Sequence, residues 1–325
     1  MPGVVLVTGA AGFVGSHLVH LLASHSASDT IVAWRRSARA GRPIFDQPPR
    51  DYGSPADVQW QEVDMLQAND VRAAIEATAP RSIYHCAGVA SVRDSWADTG
   101  APLEGNVKGT DNLLQAVVSS GLEAKILIPG SALVYRPTSQ ALQEDAPVGP
   151  VSPYGLSKLA QEMLAQRYAA EGLPVLSTRS FTHIGPGQSV SYAASSFANQ
   201  IAQIEAGHAP ALIRVGNLDA QRDITDVRDT VRAYLALMGQ GVPGRIYNVC
   251  SGQAPRIADI LDMLLARSSA PISIEIDESR LRPSDNPVLV GDPSRIRQDT
   301  GWLPKIPLRQ TLDDLLDYWR RTIAS

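Results

Sequence analysis

Along the first half of the chain, short β-rich runs alternate with longer stretches whose apolar residues recur every three or four positions. The short runs, Val4–Thr8, Thr30–Trp34, Val58–Val63, Ser82–His85, Lys125–Ile128 and Val175–Thr178, read as strands. Between them, Val14–Ser24, Val71–Ala77, Leu103–Ser119 and Pro153–Ala170 carry helical periodicity. Strand and helix in regular succession form βαβ units, so the pattern predicts an α/β fold with a doubly wound parallel sheet. Ser37–Pro55, rich in Arg, Pro and Gly, reads as a surface loop.

The rhythm changes after Arg179. Gly185-Pro186-Gly187 marks a loop, Ser191–Ala206 and Asp226–Met238 read as helices, and Ile246–Val249 reads as a strand. Leu312, Leu315, Leu316 and Trp319 form the apolar stripe of an amphipathic helix over Leu308–Ile323. The expected division is a Rossmann-type sheet domain of residues 1–178 plus about 222–250, and a smaller discontinuous α/β domain of about 179–221 plus 251–325.

Composition narrows the classes. A chain of 325 residues, 44% hydrophobic and 19% charged, can bury a full core in one large or two fused domains, as an ordinary globular enzyme does. A net charge of −4 leaves no basic stripe for a phosphate backbone, so nucleic acid is not an expected partner. No run approaches the roughly 18 apolar residues that span a membrane. The apolar start at Val4–Val7 is broken by Gly9, Gly12 and Gly15 and lacks a basic flank, so it does not read as a signal peptide, and a cytoplasmic location is expected. Cys86 and Cys250 lie in apolar strand contexts that favour buried free thiols over a disulfide, and no Cys or His pair has the spacing of metal ligands.

Three local patterns carry chemistry. Gly9, Gly12 and Gly15 follow the first strand and open the first helix as G-x-x-G-x-x-G, where bare backbone and a positive helix end suit a pyrophosphate. About 20 residues on, where an acid would bind a ribose 2′-hydroxyl, the chain has Arg35 and Arg36. Two guanidinium groups favour a 2′-phosphate, which predicts NADP(H) over NAD(H). Tyr154 and Lys158 stand one helical turn apart on a common face, and the positive charge is expected to lower the phenol's pKa toward the range of neutral proton exchange. On its own Ser131 reads as a strand-end serine bonded to backbone.

Taken together, these residues make the chain similar to the extended short-chain dehydrogenase/reductases, the NAD(P)-dependent epimerase/dehydratase family, over nearly its whole length. Thr8–Gly15, with Phe13 and Val14 inside it, resembles the cofactor loop. Asp64-Met65 resembles an adenine-contacting pair, Ala87-Gly88 the loop along the cofactor, and Asn106–Thr110 the Asn-containing helix behind the active site. Ser131, four residues before Tyr135, completes a Ser131–Tyr154–Lys158 triad. The resemblance implies that Ser131 orients a substrate ketone, Tyr154 protonates its oxygen, and Lys158 holds the nicotinamide ribose.

Arg222–Val227 and Arg282–Asp285 resemble segments of the family's nucleotide-sugar enzymes, and His183–Gln188, Gly216–Ala220 and Leu281–Pro304 are similar to the GDP-mannose dehydratase and GDP-4-keto-6-deoxy-mannose reductase group. This implies a nucleotide-diphosphate sugar, GDP-linked in preference to dTDP- or UDP-linked. Arg222 and Arg282 would grip the diphosphate, Asp285 would lie near the GDP ribose, and Thr182 and Asn217 would also face substrate. Thr182 replaces the Asn that normally precedes this His, and Arg136 follows Tyr135 where the family favours glycine. The group's dehydratases carry an acid one or two positions after the catalytic Ser/Thr. Here Ala132 and Leu133 stand there and neither transfers protons.

The expectation is therefore reduction of GDP-4-dehydro-6-deoxy-D-mannose to GDP-D-rhamnose or its 4-epimer. The alternative is a 4-epimerase; a 4,6-dehydratase or a catalytically silent NADP-sensing protein ranks lower. The helices Leu103–Ser119 and Pro153–Ala170 resemble the family's dimer surfaces, which implies a homodimer through a four-helix bundle.

Overall fold

The computed structural model describes residues 3–25, 29–37, 58–278 and 286–324. The chain begins with β1 (Val4–Thr8), α1 (Phe13–His25), β2 (Thr30–Arg35), β3 (Val58–Glu62), α2 (Ala68–Thr78) and β4 (Ser82–His85). A short α3 (Val92–Ala97) and α4 (Gly100–Pro102) lead into a π-helical segment, Leu103–Lys108, continued by α5 (Gly109–Ser119). There follow β5 (Lys125–Ser131), a 3-10 turn over Ala132–Val134, α6 (Pro153–Ala170), β6 (Val175–Ser180) and β7 (Thr182–Ile184). The remainder is α7 (Ala193–Glu205), β8 (Leu212–Val215), β9 (Gln221–Arg222), β10 (Ile224–Asp226), α8 (Val227–Gln240), β11 (Ile246–Val249), α9 (Ile257–Leu265), β12 (Ser273–Ile276), β13 (Val288–Leu289), α10 (Ser294–Thr300) and α11 (Leu308–Ala324). All but Ser37 of the expected Ser37–Pro55 loop lies outside the described residues.

Seven of these strands pair in parallel in the order β11-β6-β5-β4-β1-β2-β3. Successive residues of β1 point to opposite faces. Val5 and Val7 enter a core with Leu18 and Leu22 of α1 and Val231, Tyr234 and Leu237 of α8. Leu6 enters the opposite core with Ile75 of α2 and Leu113, Leu114 and Val117 of α5. Burial on both faces explains why Val5, Leu6 and Val7 form an unbroken apolar run in β1. The strand order reverses between β1 and β4, and in such sheets the crevice outside the strand ends at that point receives the ligand.

A separate apolar cluster joins α7, β8, α9 and α11, with Leu312, Leu315 and Leu316 inside it and Trp319 packed against it. The expected amphipathic stripe is thus the buried face of α11. One expected element changes character. The continuous helix over Leu103–Ser119 is π-helical through Lys108, and its wider turn carries Asn106 into the interior, fully buried. Cys86 and Cys250 are both free thiols. Among the described residues no helix is long and apolar enough to cross a membrane.

Candidate active site

The glycine loop leaves the end of β1 in a left-handed turn at Gly9 (φ 62°). A Cβ there would lie 2.6 Å from the Ala87 amide nitrogen, and one at Gly15 would collide with the Gly9 carbonyl. The outer glycines are therefore demanded by the chain's own packing. Gly12 is different, since a Cβ there would meet only the Gly9 oxygen, at 3.1 Å. It stands immediately before α1, whose first amides, at Phe13, Val14 and Gly15, have no intrahelical acceptors. A bare backbone position beside a positive helix end fits a phosphate-bearing group. Phe13 stacks on His183 at 6.0 Å and meets His17 edge-on at 5.5 Å. The His17 Nε2 lies 3.0 Å from the Pro186 carbonyl. The loop is thus braced by the Gly185–Gly187 turn from the far half of the chain.

At the other end of the crevice, Arg35 and Arg36 differ. Arg35 lies opposite Glu62 in the β2–β3 register, pairs with it at 3.4 Å, and lies 5.9 Å from the Trp60 ring. Its Nε is buried without a partner among the described residues. Arg36 is exposed. Asp64 accepts the Leu66 amide at 3.0 Å, shaping its own turn, and the Met65 carbonyl accepts from the Asn112 side chain at 2.8 Å. The Ala87 amide donates to Thr8 Oγ1 at 3.2 Å. Gly88 passes so close to Asn106 that a side chain there would collide with it. Asn106 fixes the next residue doubly, accepting the Val89 amide at 2.8 Å and donating to its carbonyl at 3.1 Å. It also donates to Ser157 Oγ at 2.9 Å, tying this loop to α6.

Ser131 ends β5 and accepts the Leu133 amide at 3.2 Å, the backbone bond expected of a strand-end serine. The structure also sets this hydroxyl close enough to the Tyr154 phenol to favour its ionised form. Tyr154 departs from expectation. Burial pushes its phenol up to about 12, the bond from Ser131 opposes this, and the nearby Tyr192 adds to the rise. Lys158 is not what sets it, because its ammonium is engaged elsewhere, on the Pro129 carbonyl at 2.8 Å and Gln161 Oε1 at 2.6 Å. The phenol therefore keeps its proton at neutral pH. Burial also pushes Lys158 down to about 8, against the opposing pull of Cys86. Tyr192 was not legible as a site residue; it arrives from the second half of the chain and donates to the Ala90 carbonyl at 3.3 Å.

The expected substrate residues are scattered. Thr182 is half-buried on β7 in register with Ile224. Arg222 is held by carbonyls of Gln221 (2.8 Å) and Pro287 (3.4 Å), and burial lowers its pKa. Neighbouring Asp223 fixes that corner by accepting the amides of Ser251, Gly252 and Gly291. Asn217 is exposed and accepts the Asp219 amide at 2.9 Å. Arg282 and Asp285 lie outside the described residues.

Comparison with known proteins supplies the context. The family described as GDP-mannose 4,6 dehydratase matches residues 6–315. The GDP-6-deoxy-D-mannose reductase of Pseudomonas aeruginosa is 33% identical, covering 98% of each chain. A UDP-glucose 4-epimerase of Azospirillum brasilense is 29% identical over 93% of this chain and 87% of its own. The solved structure of RMD from P. aeruginosa complexed with NADPH superposes with a TM-score of 0.85 at 31% identity, covering 99% of this chain and 100% of its own.

Proposed function

The chain belongs to the GDP-mannose 4,6-dehydratase family, and from that membership we propose that it is an NADPH-dependent reductase of a nucleotide-linked 4-keto-6-deoxy sugar, GDP-4-dehydro-6-deoxy-D-mannose in the first place. The observation that carries the reading is the Ser131–Tyr154 pair set beside a turn with no acid. When bound, NADPH supplies the hydride for the carbonyl carbon. Tyr154, protonated at neutral pH, gives its proton to the ketone oxygen. Ser131 donates to the same oxygen and holds it in line. Gly12, the first amides of α1 and Arg36 would hold the coenzyme's phosphates, and Lys158 its ribose.

Removing water from a sugar needs a further acid or base beside the triad. The two positions after Ser131 offer none: Ala132 is buried in an apolar cluster and Leu133 packs against it. This favours reduction over the dehydration for which the family is named. Arg222, Arg282 and Asp285 are proposed to bind the nucleoside diphosphate, with Thr182 and Asn217 as further contacts. The division into sheet and substrate domains, a cytoplasmic location and a homodimer are part of the same proposal. Leu103, Leu156 and Met163, exposed along the π-helical segment and α6, suit a helical dimer face.

The test is to mix enzyme, NADPH and enzymatically prepared GDP-4-dehydro-6-deoxy-D-mannose. NADPH should be consumed one for one with the reduced sugar. Tyr154→Phe should cut kcat roughly 10²–10⁴-fold with coenzyme binding retained. Interconversion of sugars without net NADPH loss would identify an epimerase instead. NADPH binding with no turnover on any keto-sugar would leave a coenzyme sensor.

A further inference from the structure

Behind the triad runs a chain of buried side chains that the proposed chemistry does not use. Lys158 Nζ donates to Gln161 Oε1 at 2.6 Å, and Gln161 Nε2 donates to Thr110 Oγ1 at 2.7 Å. His85 Nε2 lies 2.9 Å from the same hydroxyl, His85 Nδ1 lies 2.8 Å from Thr8 Oγ1, and that oxygen takes the Ala87 amide at 3.2 Å. Thr8, His85, Thr110 and Gln161 are each 1% exposed or less. The chain joins α6, α5, β4 and β1, and it ends on the cofactor-side loop at Ala87.

Counting donors and acceptors fixes every direction in it. Thr110 has one hydroxyl proton, which goes to the Asn106 carbonyl at 2.6 Å. Its oxygen must then accept from both Gln161 and His85. That makes His85 Nε2 a donor and leaves Nδ1 as acceptor, so Thr8 donates to it. Thr8 is left to accept the Ala87 amide, which it does. The neutral Nε2–H tautomer this requires agrees with burial, which pushes His85 down to about 3. With Thr110 as its acceptor, the Gln161 amide cannot flip, and its oxygen must face Lys158.

An ammonium has three N–H bonds. Two are committed, to Gln161 and to the Pro129 carbonyl at 2.8 Å, and one remains among the described residues. We propose that Gln161, locked by Thr110 and His85, is a positioning residue that aims the remaining N–H of Lys158 into the coenzyme site. This rests on the assignment of the site to a nicotinamide coenzyme. It does not depend on which sugar is reduced.

The test is to titrate NADPH by fluorescence into wild type, Gln161→Met and Gln161→Glu across the neutral to alkaline range, with melting curves in parallel. Affinity of the wild type should fall as Lys158 loses its proton on the alkaline side; Cys86, whose charge acts on Lys158, is itself pushed up to about 12 by burial, and His85 is neutral throughout that range. Gln161→Met removes an acceptor of the charged form, so affinity should drop roughly 10-fold and the alkaline limb should move to lower pH. Gln161→Glu keeps the acceptor and adds a negative charge, so the limb should move to higher pH and affinity at neutral pH should recover most of the loss. Opposite movements of the limb support the proposal. A fall in Tm alone, with affinity within about two-fold and the limb unmoved in whichever variant folds, would overturn it. Because the readout is coenzyme binding, a wrong sugar substrate leaves it intact.

Discussion

Tyr154 and Lys158 are held by burial more than by each other. The sequence places them one helical turn apart, and with no more information the ammonium would be expected to acidify the phenol. In the folded chain desolvation dominates both, raising the phenol and lowering the amine. The consequence suits reduction, because the proton that a ketone oxygen needs stays on the tyrosine until it is used. Arg35 and Arg36 separate in the same way. A cross-strand carboxylate holds Arg35 over Trp60, a partly exposed pair of small energetic value, while Arg36 is exposed. Replacing both with alanine should weaken NADPH roughly 10- to 100-fold, the worth of one or two charge-assisted bonds to a phosphate, and leave NADH nearly unchanged. Paired fluorescence titrations with the two coenzymes measure this, and equal losses would contradict a role for the arginines at the 2′-phosphate.

At the scale of elements, α6 does most of the positioning. Ser152 caps it, its hydroxyl accepting the Gly155 amide at 3.0 Å, and Pro153 occupies the first turn, where its missing N–H costs nothing. Tyr154 and Lys158 follow within two turns, so the cap sets the angle at which both enter the site. Ser152→Ala should destabilise the protein by about 1 kcal/mol, read as a shift in the urea midpoint with the slope unchanged. Because the lost cap frays the turn that carries Tyr154, kcat should fall more than that stability loss alone explains. The π-helical segment plays the complementary part. Its wide turn delivers Asn106 to Val89 and Ser157 at once, joining the coenzyme-side loop to α6. Periodicity over Leu103–Ser119 reports only that a helix is present; the width of one turn follows from what its side chains must reach.

At the scale of the whole molecule, a buried ion pair fastens α6 to the sheet. Glu162 and Arg179 are each about 5% exposed and bonded twice, at 2.7 and 2.8 Å. The guanidinium also lies 4.5 Å over the Tyr135 ring and donates to the Glu144 carbonyl. Glu144 and Tyr135 in turn bind Asn248 of β11, so one network spans α6, β6, the segment between β5 and α6, and the last strand of the sheet. Breaking such a pair strands a buried charge, and Glu162→Ala should cost about 3–5 kcal/mol in equilibrium unfolding. A loss below about 1 kcal/mol would mean that the Glu144 carbonyl and the Tyr135 ring suffice for Arg179.

By itself the sequence determined what depends on neighbours along the chain. The βαβ alternation, the glycine loop at the first strand-to-helix turn, the Tyr154–Lys158 face of a helix and the amphipathic α11 are all short-range patterns, and each has its place in the fold. The absence of an acid at Ala132 and Leu133, on which the proposal of reduction over dehydration rests, was equally local. What only the tertiary structure decided was the state of those groups. Whether Lys158 faces Tyr154 or Gln161, which arginine is committed to Glu62, and how Tyr192 reaches Ala90 depend on contacts between residues tens of positions apart. Desolvation, which sets the pKa values of Tyr154 and Lys158, arises only when distant segments close over them. Sequence spacing records which groups can meet, and the packed interior decides which of them do.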